Sequence, residues 1–381
     1  MTSPPRQSPT PLDDVAALLD HQLQQLWARP EDRHAIAPLM LWGPPGVGKS
    51  SVVRSVAERH GVGFLDIRLS QREPVDLRGL PVPKDGMVEW LLSSEWPRDP
   101  SSRGIILFDE LTAADRSLQV AAYELILDRR LGTLYTVPPG WYIVAAGNRA
   151  GDHAVAGALS SALANRFCHL EVAADVEDWV RWAAARGLGP LVPAYLRHQP
   201  DHLLDLRGPL DRGWPSPRSW ERVALLVDRA GALSEPLLHR MVEGLVGMGA
   251  AASFLAFREL AHQVTDVDAW LRGEVEMVVP DRMDQRYALV GAVAAAVWRA
   301  PRQREAIARA LTLSDDLGSD FAALLLTDLL RGRSASELRL VLTSPAFPGW
   351  VQRHGAAVRG RLTRHTDAVL GAALGLGGGT P

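Results

Sequence analysis

Apolar residues at Leu12, Val15, Leu18, Leu19, Leu23 and Leu26 recur at helical spacing, which predicts an amphipathic helix over 12–27. The pattern then changes. Leu39 to Trp42, Phe64 to Ile67, Ile105 to Phe108, Tyr142 to Ala146 and His169 to Val172 are short apolar runs with little polar alternation. Such runs suit strands covered on both faces. The stretches 49–59, 118–130 and 158–165 between them read as helices, and strand–helix alternation of this kind predicts a parallel α/β sheet. From about residue 176 the strand signals stop. Helices are expected over 178–186, 219–229, 237–257, 285–298, 302–311 and 321–330, with Pro and Gly clusters breaking the chain around 187–217 and 272–282. The reading is therefore an α/β domain followed by helices, without an internal repeat.

Composition narrows the classes. The 381 residues exceed one compact layer, and 47% apolar with 22% charged residues is ordinary for a globular chain. A net charge of −3 gives no bulk attraction for polyanions. No run reaches the ~18 apolar residues of a membrane span, and the Ala-rich stretch 289–298 is short enough to be a buried helix. Residues 1–11 are rich in Pro, Ser and Thr and read as a disordered lead-in, and 371–381 as a Gly-rich mobile tail. One cysteine, Cys168, rules out an internal disulfide, is expected to be a small buried apolar residue, and fits a cytoplasmic location. The eleven histidines are scattered, so no metal cluster is expected from them. Of the 41 basic residues only Lys49 and Lys84 are lysines, so each needs a reason.

Lys49 has one. Gly43-Pro44-Pro45-Gly46-Val47-Gly48-Lys49-Ser50 follows a predicted strand, opens a predicted helix and fits the phosphate-loop spacing, with Ser51 next in the helix. Glycines let successive N–H groups turn toward phosphates, the helix start adds positive potential, Lys49 reaches the outer phosphates of ATP and Ser50 ligates Mg2+. The strand 105–108 ends in Asp109-Glu110, which assigns Asp109 to the magnesium shell and Glu110 to the attacking water. The strand 142–146 leads to Asn148, a residue able to hold that water. Arg166 closes a short helix and is a candidate arginine finger. Arg218 stands where the helical region opens and is a candidate second sensor. Each has a blander reading: a turn Asn, or an Arg at a helix end.

In this order Gly43 to Ser50, Asp109-Glu110, Asn148, Arg166 and Arg218 resemble a AAA+ module, and in particular the MoxR-like family. Asp76-Leu77-Arg78-Gly79 with 87–92 looks like the helix-2 insert of that clade. Residues 119–132 and 133–137 look like its helix and pre-sensor hairpin. The resemblance covers about 12–262. It implies an α/β P-loop core over 12–178 with a five-stranded parallel sheet in the order 5-1-4-3-2 and an α-helical lid over 179–262; the helical extension over 263–370 is expected from its apolar spacing alone. It further implies a ring, usually hexameric, in which Arg166 acts in trans on the neighbour's ATP, and ATP-driven remodelling or assembly of a partner, commonly one with a von Willebrand factor A domain. Arg149 follows Asn148 where Pro is frequent, so a second trans contact is an open reading. The alternative is a nucleic-acid motor. The acidic balance, the scarcity of Lys and the absence of a basic–aromatic segment argue against it, and Arg359, Arg361 and Arg364 read as a solvated helix face.

Overall fold

The computed structural model describes residues 8–362 except 153–156, 158, 232, 264, 265 and 332. The tail 371–381, Arg364 and the start of the lead-in lie outside the described residues. The chain forms two compact units, Met1–Asp178 and Trp179–Pro381.

In the first unit α1 (Leu12–Ala28) precedes β1 (Leu39–Trp42), α2 (Lys49–His60), β2 (Gly63–Arg68), α3 (Pro74–Arg78), β3 (Leu80–Lys84), β4 (Met87–Leu91) and β5 (Arg103–Asp109). Then follow α4 (Arg116–Asp128), β6 (Arg130–Leu131), β7 (Tyr135–Thr136), β8 (Gly140–Gly147), α5 (Ser161–Ala164) and β9 (Cys168–Glu171). Five strands pair in parallel in the order β2-β5-β8-β1-β9. Counting those strands alone, this is 2-3-4-1-5, the expected order read from the other edge. Alternation along β5 explains the double cover. Ile105 and Leu107 pack with Val15, Leu19, Leu23 and Val53 of α1 and α2, whereas Ile106 and Phe108 pack with Leu118, Ala122 and Leu125 of α4. Both faces are apolar, hence the continuous apolar runs.

Two hairpins leave this sheet. β3 pairs with β4 through Asp85-Gly86, both at positive φ (51° and 79°), as a tight two-residue turn requires. Its apolar side chains stay exposed, Met87 at 75% and Val88 at 60%. The small β6–β7 hairpin is held by the buried Arg129, which donates to the carbonyls of Trp141 (2.5 Å) and Pro138 (3.3 Å). Burial lowers its pKa to about 10, so it stays charged at neutral pH. Arg129→Met keeps the stem but removes the donor to the Trp141 carbonyl, leaving Pro138 O with the Trp141 N–H alone, and is expected to lower stability by about 2–3 kcal/mol in urea titrations.

The second unit is helical. α6 (Val176–Ala185) leads into it, followed by α7 (Leu191–His198), α8 (Pro217–Asp228), α9 (Glu235–Val246), α10 (Met248–His262) and α11 (Val267–Arg272). The last five are α12 (Met283–Arg299), α13 (Gln303–Leu317), α14 (Ser319–Leu330), α15 (Ala335–Leu342) and α16 (Phe347–Leu362). Several expectations are corrected. The single helix over 237–257 is two, because Gly247 at φ 77° ends α9, donating its N–H to Glu243 O. The region 187–217, expected to be broken, holds α7; Pro193 is tolerated there because it lies in the first turn, where its missing N–H is not needed. The helix expected over 158–165 spans only Ser161–Ala164. Cys168 is exposed rather than buried, since it starts β9, an edge strand.

Candidate functional site

The phosphate loop joins β1 to α2. Gly43, Gly46 and Gly48 have φ of 157°, 78° and 109°, and the last two are left-handed values that side chains rarely adopt. A Cβ at Gly48 would also meet Leu12 Cδ1 at 3.0 Å. Pro44, Pro45 and the buried Val47 complete the turn, and Ser51 is exposed on the first turn of α2. Lys49, only 7% exposed, donates to Gly43 O (2.5 Å), Pro44 O (3.0 Å) and Asn148 Oδ1 (3.1 Å). A buried ammonium ringed by oxygens is a positive charge held in place at the mouth of the loop.

The sheet register brings the acids to it. Ser50 Oγ donates to Asp109 Oδ2 at 2.5 Å, and Glu110 N donates to Asp109 Oδ1 at 2.9 Å, so both carboxylate oxygens are oriented. Glu110 itself has φ 58°, a left-handed conformation costly for a non-glycine residue and of the kind that clusters at active sites. Asp66, on the neighbouring strand β2, has a pKa raised by burial and then by the Asp109 charge, and its buried Oδ1 has no hydrogen-bond partner among the described residues. Carboxylate oxygens crowded beside a hydroxyl form the oxygen-rich surrounding that a hard divalent cation takes. Ser50 and Asp109 therefore fit Mg2+.

Asn148 is fixed from behind by Thr112. Its N–H donates to Thr112 Oγ1 (3.1 Å), and that hydroxyl donates to Asn148 O (3.2 Å). A Cβ on the preceding Gly147 would fall 2.7 Å from Thr112 Cγ2, which explains the glycine. Arg149 donates to Asp152 and to Glu171 Oε2 (2.6 Å), so it ties the loop after β8 to the end of β9 within its own chain.

Arg166 follows α5 and is exposed, while the buried Leu163 and Phe167 pin the segment on either side. Arg218 is also exposed, at the second position of α8 in the second unit. There Ser216 and Ser219 cap each other reciprocally and Trp220 is fully buried. The first unit thus joins Lys49 to Asn148 and Asp109 to Ser50 and Glu110 by hydrogen bonds, with Arg166 exposed on its surface; Arg218 belongs to the second unit.

Ser70 and Thr112 are the residues that motif reasoning missed. Ser70 Oγ donates to Glu110 Oε2 in a short hydrogen bond. The signal lies in the pairing of Arg68 with Asp109, which carries the end of β2 alongside Glu110. A hydroxyl bonded to that carboxylate competes with water for one of its oxygens. Ser70→Ala is expected to raise ATP turnover by about two- to fivefold with KM unchanged, the size of one hydrogen bond, read in steady-state kinetics.

Comparison with known proteins agrees with this geometry. Residues 38–167 match the family described as AAA domain, dynein-related subfamily. The matched stretch lies wholly within the first unit. Over 119 residues the chain is 29% identical to "Replication factor C subunit 5" of Arabidopsis thaliana, 31% of each chain, so it spans about a third of that curated relative. A mutant RuvB of Thermotoga maritima aligns with 16% identity over 68% of this chain and 79% of its own, TM-score 0.37. NtrX from Brucella abortus, in complex with ADP, aligns with 15% identity over 94% and 69%, TM-score 0.36. No helix among the described residues is long and apolar enough to cross a membrane.

Proposed function

We propose that the chain is a MoxR-like AAA+ ATPase that works as a ring, by trans contact of Arg166 with the neighbouring subunit's ATP, and that it remodels or assembles a partner protein. The single observation that carries the hydrolytic part is the cluster in which Lys49 meets Asn148 while Ser50, Asp109 and Glu110 are joined by hydrogen bonds. Mg2+ held by Ser50 and Asp109 would neutralise charge on the outer phosphate oxygens. Lys49 offers its ammonium to the same oxygens, and the loop N–H groups at the start of α2 cradle them. Glu110 accepts from the attacking water and orients it, with the Asn148 amide fixing its position. The exposed position of Arg166 between two buried anchors suits a residue whose target lies on another subunit. Arg218 is the second-sensor residue of this reading.

The partner reading rests on the β3–β4 hairpin. Leu80, Met87, Val88, Trp90 and Leu91 are all exposed, and its lone lysine, Lys84, is paired with Glu89 at 2.8 Å. Such a surface suits an apolar protein segment better than a phosphate backbone. A von Willebrand factor A protein is the partner that the MoxR-like reading suggests, with a cytoplasmic location. The relative's name, a replication factor, favours the second reading, a nucleic-acid motor. ATP turnover measured with and without DNA across a salt series separates them. Stimulation falling steeply with salt would overturn the protein-partner reading, whereas stimulation by a von Willebrand factor A protein and indifference to DNA is the expected result.

A further inference from the structure

β1 and β9 are parallel neighbours in the sheet, with Met40 opposite His169, so Trp42 and His169 stand diagonally on one face, within reach of each other. Their rings stack at 20° with centroids 5.9 Å apart, and Trp42 Nε1 donates to His169 Nδ1 at 2.8 Å. The other ring nitrogen, Nε2, lies 2.8 Å from Ala164 O, the carbonyl of the last residue of α5. These partners fix the tautomer. An indole N–H can only donate, so Nδ1 is the acceptor; a carbonyl can only accept, so Nε2 carries the proton. Neutral His169 thus has both nitrogens engaged, each by a different element.

The two partners belong to different parts of the site. Trp42 ends β1 and is followed directly by Gly43, the first residue of the phosphate loop. Ala164 lies two residues before Arg166, and its carbonyl also accepts the N–H of Phe167, on the far side of Arg166. Phe167 in turn sets its ring edge-on to His169, centroids 6.1 Å apart. The backbone before and after Arg166 therefore rests on one imidazole.

We infer that His169 is a positioning residue for Arg166: its imidazole locks the finger segment to the strand that carries the phosphate loop, so that a subunit's own nucleotide site and the guanidinium it offers to its neighbour are held in one register. The inference rests on the trans reading of Arg166. Packing alone needs only a ring of this size, whereas hydrogen bonds at both nitrogens fix distance and direction as well as volume. A guanidinium on a long, exposed stem reaches transition-state charge only from a correctly placed backbone, and a displacement of about 1 Å costs up to about a hundredfold in rate.

The test is steady-state ATP turnover of the full chain with His169→Phe, which keeps an aromatic ring and removes both hydrogen bonds, beside His169→Gln, whose amide again offers one acceptor and one donor. His169→Phe should lower kcat about tenfold while KM for ATP and assembly by light scattering stay unchanged, and His169→Gln should regain most of the loss. Trp42→Phe removes the indole bond from the other side and should show part of the same loss. In an Arg166→Ala background His169→Phe should cost less than about twofold more, because the group it acts through is gone. Normal turnover by Arg166→Ala would overturn the trans reading and this inference with it. With Arg166→Ala impaired, the inference alone falls if His169→Phe turns over normally, if His169→Gln is as slow as His169→Phe, if KM rises in place of the fall in kcat, or if the loss adds in full to that of Arg166→Ala.

Discussion

Glu110→Gln is expected to cut ATP turnover by about 10²–10⁴-fold, the range for loss of a positioned general base, while ATP binding persists. The amide is nearly isosteric, so the left-handed backbone at φ 58° and the N–H bond to Asp109 are retained. Lost is the carboxylate charge that polarises water. Binding should survive because Lys49, Ser50 and the loop do not use the Glu110 side chain. Single-turnover hydrolysis beside equilibrium binding of a fluorescent ATP analogue checks both halves. Turnover within about threefold of wild type would remove Glu110 from the mechanism.

Arg166→Ala should be nearly as severe, with turnover down about 10³-fold if the guanidinium stabilises transition-state charge on a neighbour's ATP. The fold should tolerate it: Arg166 is exposed, and the segment is held by Leu163 and Phe167 instead. Mixing experiments distinguish trans from cis action. A subunit with Glu110→Gln keeps its finger, and one with Arg166→Ala keeps its catalytic carboxylate, so mixed rings should regain part of the activity that each lacks alone. Wild-type turnover per chain should also rise with protein concentration as light scattering reports assembly. Turnover independent of concentration, unaffected by Arg166→Ala, would leave a monomeric ATPase and sink the ring.

The geometry of the Gly43–Ser50 loop was legible because such loops are local. Gly43 to Ser50 needs left-handed backbone, a helix start and a lysine within a few residues, so spacing and residue type together express the geometry. The apolar run before Asp109-Glu110 was readable for a similar reason: a strand covered on both faces has no room for polar side chains. The helices were less legible. Gly247 divides what periodicity joined, and Pro193 sits inside a helix that its presence seemed to forbid, because cap geometry depends on backbone angles that hydrophobic spacing does not encode.

The amino-acid sequence by itself determined the order of the five sheet strands in the first unit and placed Lys49, Ser50, Asp109, Glu110 and Asn148 at or just beyond strand ends and a helix start. Only the tertiary structure decided that Ser70 bonds Glu110, that Thr112 braces Asn148, and that Arg149 is spent on Asp152 and Glu171. Each of these contacts joins residues brought together by strand register or helix packing. The chain between them leaves no periodic trace of the pairing, since a single hydroxyl or guanidinium gains its partner from where the neighbouring element happens to end.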